Sequence, residues 1–208
     1  SDDYRLRRDG LRKIGRAQDA QEMLVARAQY LCRTSPEDQN QLAKEKVLCL
    51  LQLERFEEAN QLLEHQIRTC SISQLSVWEA EFWLLRGLGF RAVSRLDDAL
   101  RSFQQATSVC PKGGNLEAQA LFELGLQRLL MGEGRPAELA LRNCVSAAAG
   151  ANYADPAGFC LGWLCMKNQR WTEAKDWFGQ VVERQALNLE SVDPAICWGQ
   201  LAAVYQSE

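Results

Sequence analysis

A single histidine, His65, in a chain of 208 residues leaves little material for imidazole catalysis or for a histidine-based metal site. None of the eight cysteines forms a Cys-x-x-Cys pair, and the phosphate-cradling and nucleophile-elbow patterns GxGxxG, GxxxxGK[ST] and GxSxG are all missing. No apolar run approaches the roughly 20 residues that span a bilayer, and the polar start at Ser1 lacks the apolar core of a signal peptide. Runs of β-branched residues and Asn-Gly turns are absent as well; the one Asp-Gly, at Asp9–Gly10, sits in a charged stretch. Strands therefore find no support. The net charge of −3 gives no general attraction to nucleic acid or anionic membrane.

What remains is ordinary soluble-protein material, 47% hydrophobic and 25% charged, enough for a substantial core in one domain or two. The cysteines are dispersed, and several lie inside apolar stretches such as "VLCLLQL", "GFCLGWLCM" and "AICWGQL". There the thiol serves as a small buried hydrophobe, so reduced cysteines and a cytoplasmic or nuclear setting are expected.

The apolar spacing is helical throughout. All five prolines read as helix punctuation: Pro36, Pro156 and Pro194 each follow a capping Ser or Asp, Pro136 opens a helix after "GEG", and Pro111 ends one. Small residues then recur on a fixed interval. From the Gly of one helix to the Ala of the next the spacing is 99 − 87 = 12, 137 − 125 = 12 and 174 − 162 = 12. Across Ala20, Ala59, Ala99, Ala137 and Ala174 the repeat length is 39, 40, 38 and 37 residues. A constant hairpin with variable spacing between hairpins follows. Small residues are expected where two antiparallel helices touch, with Trp83, Phe90 and Phe103 filling the flanks.

Trp83, Arg86-Gly87 and Phe90, followed by Ala99, Phe103, Ala106 and Pro111, resemble the tetratricopeptide (TPR) pattern of Trp, Leu-Gly and Tyr, then Ala, Phe and Pro. Leu121, Leu124-Gly125 with Ala137 and Leu141, and Leu161-Gly162, Cys165 with Ala174 and Phe178, repeat it, and Trp198, Leu201 and Tyr205 begin it again. HEAT and armadillo repeats match the length but not the fixed interval. Departures are Arg86 and Arg128 at usually apolar or aromatic positions, Gly158 in place of Trp, and Lys46-Val47 in place of Leu-Gly. The resemblance implies an all-α fold, a right-handed α-solenoid of antiparallel helix hairpins forming a TPR-like superhelix. The expected organisation is a single domain over 1–208 with repeats at about 1–36, 37–76, 79–116, 117–153, 155–190 and a half repeat at 194–208. Its unpaired last helix reads as part of a longer solenoid.

The resemblance also implies that first helices line a concave groove, through positions one, five and eight after the Trp position. In this chain they are Leu84, Leu88 and Arg91; Phe122, Leu126 and Leu129; and Phe159, Trp163 and Met166. The stripe is almost wholly apolar, unlike the Lys, Asn and Arg of family members that clamp a peptide carboxylate. It fits a partner helix or apolar segment, making the protein a non-enzymatic interaction scaffold without cofactor or metal. Tight curvature or a neighbouring segment burying the stripe would silence that role. Two alternatives remain. One is a nucleic-acid-binding helical repeat using Arg5, Arg7, Arg8, Arg12, Lys13 and Arg16, against which stands the lack of aromatic interleaving. The other is self-association through the C-terminal half repeat.

Overall fold

In a computed structural model the described residues are Asp19, 35–147 and 153–185. They form eight helices and, among the described residues, no strand. In chain order these are α1 (Pro36–Gln52), α2 (Phe56–Ile72), α3 (Ser76–Ala92), α4 (Leu96–Val109), α5 (Asn115–Leu130), α6 (Gly134–Ala147), α7 (Ala154–Lys167) and α8 (Trp171–Gln185). They fall into two compact units, one within Ser1–Ser102 and the other within Phe103–Glu208. The fold is an α-solenoid of hairpins.

Each hairpin closes through three residues: 53–55, 93–95, 131–133 and 168–170. The middle one is left-handed, with φ of 58° at Glu54, 60° at Ser94, 79° at Gly132 and 59° at Gln169. The amides of the last two turn residues fold back on the helix, as where Glu54 N–H donates to Leu51 O at 3.2 Å and Arg55 N–H to Leu50 O at 2.9 Å. This double closure satisfies carbonyls that the helix end leaves open. The link from α2 to α3 has the same form, with Gln74 at φ 57°. Between α4 and α5, by contrast, five residues intervene. The constant interval of 12 thus has a cause in one turn used repeatedly.

An arginine follows the left-handed residue in three of the four hairpins and holds an acid three residues on. Arg55 meets Glu58 at 2.6 Å, Arg95 meets Asp98 at 2.6 Å and Arg170 meets Glu173 at 3.3 Å. The acid suits the positive start of the helix, and the arginine neutralises it in turn. At the start of α1, Ser35 caps as expected, its Oγ accepting from the Asp38 N–H at 3.2 Å. The cap expected at Asp155 is a correction: α7 begins two residues earlier than Pro156, at Ala154 after Tyr153, so Asp155 lies inside the first turn.

In the first unit Ala43 and Val47 of α1, Leu63, Ile67 and Cys70 of α2, and Phe82 and Leu85 of α3 form one buried cluster. The second unit repeats the plan with Ala118 of α5, Ala137, Leu141 and Cys144 of α6, and Ala157, Leu161 and Leu164 of α7. A hairpin completes its core only with the next hairpin's first helix, as solenoid stacking requires.

Gly87 and Ala99 are both buried. The second unit shows what the glycines accommodate, and it is not the alanine. A Cβ on Gly125 would lie 2.7 Å from Leu141 Cγ, and one on Gly162 would lie 2.7 Å from Phe178 Cε1. The tight contact is with the bulky residue four positions, one helical turn, after the alanine. In the first hairpin Val47 takes the glycine's place, and Leu63 stands at the equivalent position; both are fully buried.

Candidate functional site

The second unit carries six of the expected groove residues, on α5 and α7. α7 is apolar on both sides. Leu161, Leu164 and Cys165 are buried, while Phe159 and Met166 are half-buried and Trp163 is 40% exposed. Phe159 meets Phe178 edge-on, with ring centroids 5.6 Å apart, and Phe159 and Met166 both pack against the Cys165–Ala174–Phe178 cluster. Trp163 stands further out. The Lys167 ammonium lies 5.3 Å from its ring centroid, a cation over the face of an accessible indole.

On α5, Phe122, Leu126 and Leu129 are half-buried. Phe122 and Leu129 rest on the core of the unit, and the Phe122 ring lies 5.7 Å from that of Tyr153. Five of these six side chains thus divide their surface between core and solvent, and Trp163 offers the most.

In the first unit Leu84 is buried at 3% exposure, while Leu88 and Arg91 are half-buried, Leu88 against the α1–α2 core. Leu84 therefore offers almost no accessible surface. The departure at Arg86 has a structural use. Its Nε donates to Asn60 Oδ1 at 2.9 Å and its Nη2 to Glu64 at 2.6 Å, and its guanidinium lies 5.3 Å from the rings of both Trp83 and Phe90. It ties α2 to α3. Arg128 does similar work in the second unit, donating to Pro136 O of α6 at 3.0 Å.

The only described metal-capable group is Glu138, Cys165 and Glu173, whose donor atoms lie within 4.8 Å of one another. Both carboxylates are already engaged. Arg170 clasps Glu138 through two bonds of 2.7 and 2.9 Å, and Arg142 reaches Glu138 at 2.8 Å and Glu173 at 3.1 Å. The hydrogen bond from Arg170 holds the Glu138 carboxyl below its ordinary range. This is an ion-pair network joining α6 to α8. Nearby thiols are poor nucleophiles: burial pushes Cys144 up to about 12 and Cys160 up to about 11, so both are protonated at neutral pH. Six described cysteines are free thiols.

No described helix is long and apolar enough to cross a membrane. The basic residues between Arg5 and Arg16, and Trp198, Leu201 and Tyr205 of the half repeat, lie outside the described residues.

No family model matches the chain, and no curated protein sequence does. Solved structures do. Repeats described as the nearly identical TPR-like repeats of a Podosopora anserina kinesin light chain match with a TM-score of 0.65 at 17% identity, over 90% of this chain and 98% of theirs. A tetratricopeptide repeat protein from Parabacteroides merdae matches with a TM-score of 0.61 at 14% identity, over 98% of this chain and 72% of its own. A Rap protein complexed with competence and sporulation factor matches with a TM-score of 0.68 at 13% identity, over 88% of this chain and 53% of its own. At such identities the shared property is the fold, a TPR-like helical repeat.

Proposed function

We propose that this TPR-like repeat is a non-enzymatic interaction scaffold whose second unit receives an amphipathic helix or apolar segment of a partner protein on the face carrying Phe122, Leu126, Leu129, Phe159, Trp163 and Met166. The observation that carries it is Trp163: a large indole left 40% exposed beside a positive charge, on a helix whose other side already supplies the core. Aromatic anchors of this kind concentrate binding energy. A groove-lying apolar segment is also the mode that fits anchors spaced by a helical turn along one element.

Panning a displayed peptide library against the protein tests the assignment. Peptides with apolar residues at helical spacing should be enriched on the native chain and lost on Trp163→Glu. Equal recovery from the variant, with its helicity intact, removes the face from consideration.

A further inference from the structure

The first unit holds a cleft of about 300 Å³ formed by the end of α1, the start of α2 and the end of α3. Its floor is apolar, made by Leu51, Ala59, Leu63 and Gly89, with Phe56 and Phe90 as aromatic walls and Val93 at the lip. Gly89 keeps that floor open, since a Cβ there would come 3.1 Å from Leu51 Cδ2. The volume sits at the lower end of ligand-holding pockets and suits one large side chain.

The charges around it are unequal in availability. Arg86, on one side, is committed to Asn60 and Glu64. Arg95 is committed to Asp98, which Arg101 also holds, and packs over the Phe90 ring at 4.7 Å. Arg55, in the neighbouring turn, is bound to Glu58. Two carboxylates that line the cleft, Glu54 and Glu57, are exposed and have no hydrogen-bond or ion-pair partner among the described residues. Glu54 also follows the negative end of α1, which adds to the attraction for a cation. The cleft therefore pairs an apolar interior with two rim carboxylates that no described side chain pairs, although Arg86 and Arg95 also line it.

We infer that this cleft is a second docking site, taking a partner peptide that inserts one large apolar side chain and places an adjacent Lys or Arg against Glu54 and Glu57. The apolar group gains burial in the Leu51–Leu63–Gly89 floor, and the cation completes the charge pattern of the rim. The left-handed turn at Glu54 is what brings that carboxylate to the edge of the cleft.

The probe is N-acetyl-Phe-Arg-amide, titrated into the ¹⁵N-labelled chain while amide signals are followed. Shifts should concentrate at Glu54, Phe56, Gly89 and Val93. N-acetyl-Phe-Glu-amide should give none, and N-acetyl-Ala-Arg-amide should bind more weakly. Glu54→Gln with Glu57→Gln should weaken the Phe-Arg probe about fivefold, as two exposed ion pairs would. Val93→Trp, a change at an exposed lip position, should block entry. Equal response to the Phe-Glu probe, shifts elsewhere only, or indifference to the double Gln variant overturns the inference, and none of these outcomes bears on Trp163.

Discussion

Gly162 lies so close under Phe178 that a single added methyl group would stand 2.7, 2.8 and 2.9 Å from three atoms of the ring. Phe178 is fully buried, so it has little room to withdraw. Gly162→Ala should destabilise the protein by about 1–3 kcal/mol through overpacking, despite alanine's better helix propensity. Gly125→Ala should cost a comparable amount, because Leu141 is just as fully buried against it. Gly179, with nothing within 4 Å of its would-be Cβ, is the control: Gly179→Ala should stabilise by about 0.5–1 kcal/mol. Denaturant midpoints of the three variants check the order; equal losses at Gly162 and Gly179 would contradict the packing described.

The turns make an opposite prediction. Ser94 and Gln169 hold φ near 60°, where a side chain crowds the following carbonyl. Ser94→Gly and Gln169→Gly should each raise stability by about 0.5–1 kcal/mol. Gly132→Ala, at φ 79°, should lower it by a similar amount. Thermal unfolding of single variants is sufficient, and a loss on Ser94→Gly would count against the turn geometry.

Acid should unfold the protein in a predictable window. Hydrogen bonds from Arg170 hold Glu138 below its usual value of 4.5, and the Gly113 N–H, 2.6 Å away, does the same for Glu117. The unfolded chain protonates these groups first, so the stability they contribute is complete above about pH 5 and is lost as pH falls through their folded values. Glu138→Gln should cost about 1–2 kcal/mol at pH 7 and flatten the acid limb of a stability–pH curve. An unchanged limb would mean that the α6–α8 network is not coupled to folding.

Trp163→Glu separates binding from stability. The residue is 40% exposed, so the exchange should cost no more than about 2 kcal/mol of unfolding free energy and leave the helices formed. Affinity for a panned apolar peptide should fall more than about tenfold, measured by fluorescence polarisation.

The hairpin plan was legible because the contact it serves is repeated at fixed sequence separation: Gly125 and Ala137, Gly162 and Ala174. Less visible was the large partner at Leu141 or Phe178, since two contacts one helical turn apart give the same small-residue spacing. The turns escaped notice because glycine marks only one hairpin; Glu54, Ser94 and Gln169 adopt the same conformation without the usual signal. A recurrent arginine three residues before an acid, as in Arg55–Glu58, Arg95–Asp98 and Arg170–Glu173, was the available clue. Exposure along the stripe was the least predictable property. Register puts Leu84, Phe122 and Phe159 at the same point of their repeats, yet Leu84 is buried and the other two are only half-buried, because burial depends on neighbours that a single helix does not encode. The cleft was invisible for the same reason, being assembled from three helix ends.

Every described hairpin shuts with a three-residue hinge of one shape, while the joints from one hairpin to the next differ in length. A residue added to an outer joint therefore falls where length already varies, whereas one residue inserted into a hinge would rotate an entire second helix out of register with its mate.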